Sequence, residues 1–334
     1  MELPSGQVIR AVIQRYARLV ARLEDELGEP PMVLPNGTFF PDRFVGDAES
    51  VQQLVTRLQT HAGLSDIPIH VSVVSGGAAR SSSSCSSGSC GVPTVAGHGL
   101  ERLIDEGDSW RLQVLEAEVK HPVVLTTNLS RALAYVFLIE TQAEGEIIEP
   151  PVDITADMTA VALGLGALML QGSYIYAKSC GGPSIGRVTK MSCPELAIAF
   201  AAFIARGHHP VRAALKELDT TQHALLQESH ALFESNREVV HRLRHEPSAL
   251  AHSPFELHEA RPWLTRMFTR SKPLPEHDPW LGLSGDADLE ELENLLTNMP
   301  PSSTARRPIR APKNPEQAEL QQLVAEAFRP ARAD

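Results

Sequence analysis

The sequence predicts an α+β protein in which a small mixed sheet packs against a helical core. Two segments, residues 67–74 and 110–119, carry apolar side chains at alternate positions, as strands with one buried face do. Most other segments up to residue 245 repeat apolar side chains at intervals of three and four, which is typical of helices. A hydrophobic content of 43% in 334 residues is enough for one sizeable core with appendages.

The N-terminal helix is predicted over residues 7–27, where Gly28 suits the C-terminal cap. Asp47 is expected to cap a second helix over residues 48–62. The strand predicted next has Ile67, and every second residue after it, on one face. The later helices predicted from the same periodicity cover residues 123–140, 155–177, 193–205 and, as one or two helices, 211–245.

The predicted organisation has four parts. They are an N-terminal helix (1–30), a main domain (31–245), a helical and irregular extension (246–299) and a Pro-rich linker with a short amphipathic tail helix (300–334). The main domain contains a Ser/Cys-rich insert at residues 75–99, whose composition predicts a flexible surface segment.

The net charge and the hydropathy of the sequence argue against two classes of partner, nucleic acids and membranes. The net charge of −11 and the lack of a basic stripe argue against a nucleic-acid partner, because phosphate binding needs clustered Lys and Arg. The longest apolar stretch, residues 158–170, is too short to span a bilayer, so no membrane partner is expected. No secretory signal opens the chain, which predicts a cytoplasmic protein with free or metal-bound cysteines rather than structural disulfides.

Several segments together resemble a bacterial family of zincin-like metallopeptidases. The more specific pieces are PNGTFFPDRF, within residues 33–44, and DMTAVALGLG, residues 157–166. A strand near Ile67, the helix at residues 125–138 and the helix opening at residues 192–196 follow the family's order. The resemblance covers roughly residues 33–240 and implies a zincin-like fold for the main domain.

The zinc-binding helix of that family carries HELAH where this chain has Arg131-Ala132-Leu133-Ala134-Tyr135. In HExxH the two His side chains share one helix face and bind zinc, while the Glu acts as general base. Arginine stays charged and cannot ligate zinc, and alanine cannot accept a proton. The later acidic ligand corresponds to Asp157, with Asp153 nearby. The resemblance therefore implies no metal at the former zincin site and no catalytic residue.

These losses predict a non-catalytic pseudo-peptidase that binds a peptide or protein. Arg131 and Asp157 are expected to form an ion pair beside the Tyr135 phenol, which either satisfies a buried site or, with Asp153, binds the ligand. The strand that begins at Trp110 is a candidate edge for an added peptide strand. Presenting a peptide to a partner enzyme, acting in a complex such as a homo-oligomer, and a purely structural role all stay open.

The four cysteines carry the alternative function. Cys85, Cys90, Cys180 and Cys193 could form a tetrahedral zinc site or hold an iron–sulfur cluster, although their spacings match no standard knuckle. Free thiols and a redox disulfide between Cys85 and Cys90 are the competing interpretations. In the alternative, the chain is a metal- or thiol-dependent enzyme that uses this cluster.

Overall fold

The computed structural model describes residues 2–75, 99–143, 146–179, 182–260 and 274. These residues combine many helices with two small sheets, which confirms the predicted mixture of helix and sheet. The insert beyond residue 75, the extension beyond residue 260 (apart from residue 274) and the tail helix lie outside the described residues.

The elements are named here in chain order. The helices are α1 (Gly6–Arg22), α2 (Glu24–Leu27), α3 (Ala48–Ala62), α4 (Glu116–Val119), α5 (Pro122–Glu140), α6 (Val152–Ala160), α7 (Gly166–Gly172), α8 (Cys193–Gly207), α9 (Val211–Leu215), α10 (Thr220–Ser235), α11 (Arg237–His245) and α12 (Pro247–His252). The strands are β1 (Ile69–Val74), β2 (Leu103–Asp105), β3 (Trp110–Leu115), β4 (Ile175–Ser179) and β5 (Gly182–Gly186). A 3₁₀ turn (Gly99–Arg102) precedes β2, and a π-helical turn (Val161–Leu165) joins α6 to α7.

The helices with clear start and stop signals form as predicted. Asp47 accepts the Ser50 N–H and caps α3, whose bounds match the prediction. α5 and α8 also lie where the periodicity placed them and form the centre of the core. The predicted first helix ends at Leu27 with Gly28 as its C-cap, as expected, but it was wrong as one continuous helix, because a break at Leu23 (φ −108°, ψ 22°) separates α1 from α2.

Two other predictions were wrong at a C-terminal end. The segment predicted as helix to residue 177 leaves the helix after Gly172, and its last residues form β4, which pairs antiparallel with β5. The strand predicted over residues 110–119 stops at Leu115, because the Glu118 carboxylate accepts the Leu115 N–H and starts α4. A polar side chain that caps a helix thus ends the strand earlier than its alternation suggests.

The three-stranded sheet has the order β1-β3-β2. β3 pairs parallel with β1 and antiparallel with β2, so both of its edges carry hydrogen bonds. The strand that begins at Trp110 is therefore central, and its expected role as a free edge was wrong. The physical reason is burial: alternate β3 side chains, from Trp110 to Val114, lie in the core, which favours a position between two neighbours.

Helices α6 and α7 approach the N-terminal segment unusually closely at the π-helical turn. Gly164 adopts φ 86°, and its carbonyl accepts the Val33 N–H at 3.0 Å. A Cβ at this position would lie 2.0 Å from the Pro31 carbonyl oxygen, so only glycine fits. Glycine at 166 likewise leaves room for the Phe200 ring, at 2.3 Å from a would-be Cβ. The DMTAVALGLG run thus permits close backbone packing.

Two helices, Pro122–Glu140 and Val152–Gly172, are long and apolar enough to cross a membrane by length and composition. The apolar stretch at residues 158–170 was expected to be too short to span a bilayer. It lies within a longer helical segment of 21 residues, which includes the π-helical turn and is long enough by length. The apolar windows are 72% and 83% buried within the fold, so packing against the chain's own residues accounts for their hydropathy. The cytoplasmic location stays a prediction.

Candidate functional site

Arg131 of α5 stands at the centre of a charged network between α5 and α6. Its Nε donates to Asp157 Oδ1 at 2.6 Å, and its Nη2 lies 3.3 Å from Asp153 Oδ1. The Tyr135 hydroxyl, one turn along α5, donates to the same Asp153 oxygen in a short hydrogen bond. The ion pair and adjacent phenol expected from the sequence are therefore present, and they join the two helices.

Asp157 also fixes the segment that leads into α8. Its Oδ2 accepts the N–H groups of Lys190 at 2.6 Å and Met191 at 2.8 Å, while Arg131 Nη1 donates to the Val188 carbonyl at 3.3 Å. The Asp157 carboxylate thus accepts three hydrogen bonds from N–H groups. This arrangement satisfies a buried carboxylate in its charged form.

The network is largely closed to solvent. The exposed fraction of the side chain is 7% for Arg131, 0% for Asp157 and 17% for Asp153. Burial lowers the pKa of Arg131, but Asp157 and its acidic neighbours more than offset that effect and raise it. Burial raises the pKa of the Asp157 carboxyl against the opposing influence of Arg131 and the two amides. Burial and the hydrogen bond to Asp153 raise the pKa of the Tyr135 phenol.

Ala132 occupies the position that the resemblance assigns to the general base. It is buried beside a small cavity of about 10 Å³ between α5 and β3. Another carboxylate, Glu118, lines this cavity and accepts from Arg102 at 2.5 Å and from Asn128 at 2.6 Å. Sequence reasoning missed this second buried ion pair, because Glu118 was assigned to a strand.

Trp110 lies apart from the Arg131 network. Its indole N–H donates to Glu140 at 2.6 Å, at the C-terminal end of α5. Arg131 and Glu140 are nine residues apart, which is about 13 Å along a helix axis. Trp110 is buried and therefore packs β3 against α5, so it does not share a surface with Arg131. The ligand-binding role predicted for Arg131, Tyr135 and the two aspartates stays a prediction.

The cysteine cluster cannot be assembled from the described residues. Cys85, Cys90 and Cys180 lie outside them, and Cys193, at the start of α8, is buried. Burial raises the pKa of the Cys193 thiol, and a hydrogen bond with Ser173 opposes that effect. Within residues 2–75, 99–143, 146–179 and 182–260, no three His, Cys, Asp or Glu side chains meet in a metal-binding group. The four-Cys metal site stays a prediction that elemental analysis tests.

The outer edge of β1 is partly occupied by the Gln52 side chain of α3. Gln52 Nε2 donates to the Ile69 carbonyl at 2.9 Å, and its Oε1 accepts the Val71 N–H at 2.8 Å. On the other side, the Trp110 N–H donates to the Pro68 carbonyl. The backbone N–H and C=O groups of even-numbered β1 residues therefore point towards β3, and those of odd-numbered residues point away from it. The Gln52 amide thus supplies one donor and one acceptor to β1, as the backbone of a neighbouring strand would.

Beyond Gln52, no strand of the described residues pairs with the outer edge of β1. In the part of the chain that the structure describes, no partner reaches the Val71 carbonyl or the Val73 N–H and carbonyl. A groove of about 440 Å³ lies at the N-terminal end of β1, next to Ile69 and His70, and uncharged side chains of α3 such as Thr56 and Thr60 line it. The sequence prediction placed a free edge on β3, whereas β1 and β2 are the outer strands of this sheet, since nothing local distinguishes an edge strand from a central one.

A second surface cleft, of about 360 Å³, is built by the family-like segment at residues 33–44. Phe40 and Phe44 form one wall, and Leu54 of α3 and Leu125 of α5 form another. Arg57 holds the nearby Asp42 in a bidentate ion pair at 2.8 and 3.1 Å. In the sequence, the aromatic residues of this segment are the signal for an apolar wall, and the sequence prediction did not include this cleft.

Searches of protein-family models, curated proteins and solved structures found no match to this chain. The likeness to zincin-like metallopeptidases therefore rests on the sequence segments alone.

Proposed function

We propose that this chain is a non-catalytic, zincin-like pseudo-peptidase that binds an extended peptide as an added strand on the outer edge of β1. The observation that carries the proposal is the contact between Gln52 and β1. A side-chain amide stands where the next strand's peptide group would stand, and among the described residues no partner reaches the backbone groups beyond it. Such an edge is a template for strand addition.

The position of the unpaired groups defines the register. The Val71 carbonyl and the Val73 N–H point to the same side of β1, so one residue of an incoming strand can pair with both. Gln52 ends this free stretch at its N-terminal side, because it already holds the Val71 N–H. A bound strand would extend from Val71 towards the C-terminal end of β1.

The Arg131 network supports the non-catalytic part of the proposal. Arg131 and Tyr135 stand at the two positions that would hold zinc in the resembled family, and both are hydrogen-bonded to aspartates. Ala132 cannot act as a general base. A helix pair held by internal charge pairs keeps the scaffold without metal-assisted hydrolysis at this position.

The chemistry of the chain favours a neutral or basic peptide. The net charge of −11 attracts cationic ligands over long range, and the groove beside β1 offers hydroxyl and amide groups rather than charges. Main-chain hydrogen bonds along the edge from Val71 to Val73 would supply the affinity. The same edge can serve a complex in which the peptide belongs to a partner protein.

A designed peptide tests the proposal on the full chain. The probe is Lys-Thr-Val-Thr-Val-Thr-Lys, titrated calorimetrically beside the same peptide N-methylated at alternate residues. We expect saturable binding of the first peptide and at least tenfold weaker binding of the second, because methylation removes the N–H groups of one strand edge. Hydrogen exchange of the Val73 amide should slow when the first peptide is added.

The matched variants are Val73→Pro and Val45→Pro. Proline at the outward-facing position 73 removes the edge donor while edge strands tolerate it, and position 45 lies in an exposed loop. We expect Val73→Pro to weaken binding at least tenfold and Val45→Pro to leave it unchanged. Binding that ignores both the methyl groups and Val73→Pro, or no binding at millimolar probe, would overturn the proposal.

A further inference from the structure

Three arginines on one face of α1 line a cavity of about 400 Å³. Arg15, Arg18 and Arg22 stand at positions i, i+3 and i+7, and the opposite wall comes from residues 146–158 and from α12. Leu19 and Met158 are among the apolar residues of the lining. The cavity therefore combines a concentrated positive charge with an apolar surface.

Among the described residues, two carboxylates pair with these three guanidinium groups. Arg18 Nη2 lies 2.9 Å from the Glu149 carboxylate, and Arg22 Nη1 lies 3.3 Å from that of Glu146. Arg15 has no carboxylate of its own: its Nη2 donates to the carbonyls of Glu149 and Pro151 and, at 2.7 Å, to the Thr155 hydroxyl. The lining carries one excess positive charge when His252 is neutral.

Several arginine N–H groups at this cavity have no acceptor among the described residues. Arg15 Nε, Arg22 Nε and Arg22 Nη2 are buried, and no acceptor in the described part of the chain reaches them. A buried donor on a charged group is costly without a partner. Burial and the neighbouring Arg18 lower the pKa of Arg15, while Glu149 opposes them. The site is therefore short of negative charge and of hydrogen-bond acceptors.

We propose that this cavity binds a small organic anion that has an oxyanion head and an apolar body. Guanidinium groups bind phosphate and carboxylate through paired hydrogen bonds, so an oxyanion supplies the missing acceptors of Arg15 and Arg22. The Ser248 hydroxyl and the His252 imidazole of α12 line the same space and add polar contacts. A volume of about 400 Å³ suits a small molecule and leaves room for an organic group beside the head.

This site is independent of strand addition at β1. No residue of β1 or α3 is in the lining of the cavity. Loss of the anion site and loss of peptide binding can therefore be observed separately in variants of one chain.

Calorimetric titration of the full chain at low ionic strength tests the proposal with three probes: phenyl phosphate, benzoate and neutral benzamide. We expect saturable one-to-one binding of an anion and none of benzamide. The relative affinity of the two anions tells whether the head is a phosphate or a carboxylate. The bound anion should also raise the thermal midpoint of unfolding, because it binds only the folded state.

The variants are Arg22→Gln and Arg212→Gln, which remove the same charge at the cavity and at an exposed position of α9. Arg22→Gln should weaken anion binding at least tenfold, and Arg212→Gln less than twofold. If Arg22→Gln does not fold, Arg18→Gln replaces it, with the same expectation. Absence of saturable binding of either anion, or equal weakening by both variants, overturns the proposal.

Discussion

The Arg131 Nε atom donates to Asp157 Oδ1 at 2.6 Å, and both side chains are buried between α5 and α6. Where the resembled peptidases would place a metal between these helices, this chain has a charge pair that also binds two backbone amides and a carbonyl. The pair therefore links α5, α6 and the segment before α8. The contribution of this pair to the free energy of unfolding can be measured without a ligand.

Removing one partner of this pair should destabilise the fold more than altering both. Arg131→Met leaves the Asp157 carboxylate buried without its cation, which should lower the free energy of unfolding by about 3–5 kcal/mol. Adding Asp157→Asn to Arg131→Met removes the stranded charge and keeps an oxygen for the amides of Lys190 and Met191. Urea unfolding of the two single variants and the double variant measures the coupling, and simple additivity would show that the charges act independently.

Restoring two histidines tests whether the scaffold is zincin-like. In Arg131→His with Tyr135→His, two imidazoles one helical turn apart would face Asp157, as three zinc ligands. We expect about one equivalent of zinc by elemental analysis after dialysis, and a zinc-dependent rise in the melting temperature. Arg10→His with Gln14→His, the same spacing on α1, is the control and should bind no more zinc than the unaltered chain. Equal binding by both would remove support for the resemblance.

Gly164→Ala should be among the most destabilising single changes in the chain. The new methyl group would lie 2.0 Å from the Pro31 carbonyl oxygen, and φ 86° is unfavourable for alanine. We expect a loss of at least about 3 kcal/mol in the free energy of unfolding, or failure to fold, since two costs of this kind combine. Gly37→Ala is the control, because nothing lies within 4 Å of its Cβ. A small effect at 164 would mean that the π-helical turn relaxes easily.

Alkaline pH should weaken the fold through its buried phenols. Burial and Asp153 raise the pKa of Tyr135, and burial raises that of Tyr16, so the folded chain keeps protons that the unfolded chain releases. The stabilisation is therefore complete below the ordinary tyrosine pKa of about 10 and is lost as the pH rises above it. Urea unfolding at several pH values measures the decline.

Tyr16→Phe separates this effect from lost hydrogen bonding. The Tyr16 hydroxyl is buried and has no partner among the described residues, so its removal should cost little at neutral pH. The variant should lose less stability than the unaltered chain above pH 10, whereas Tyr135→Phe also loses the bond to Asp153 at neutral pH. An unchanged alkaline decline in both variants would assign it to other groups.

Much of the helical framework follows from local sequence signals. Asp47 and the periodicity after it fix α3, and the alternation near Ile69 fixes β1, because capping and burial of one face act over a few residues. The arginine at 131, in a helix that resembles the zincin helix, likewise predicts an ion pair with Asp157, since a buried guanidinium needs a carboxylate.

Tertiary structure decided the order of the strands and the location of the open surfaces. The alternating pattern of the strand that begins at Trp110 fits an edge strand and a central strand of a sheet equally well. Its pairing with β1 and β2 decides that it lies between them. The Gln52 contact with β1, the kink at Gly164 and the arginine-lined cavity beside α12 all join residues far apart in the chain or on different elements. Periodicity and capping residues indicate the local conformation of a segment and which face of a helix or strand is buried. The features above depend on which helices and strands pack against each other.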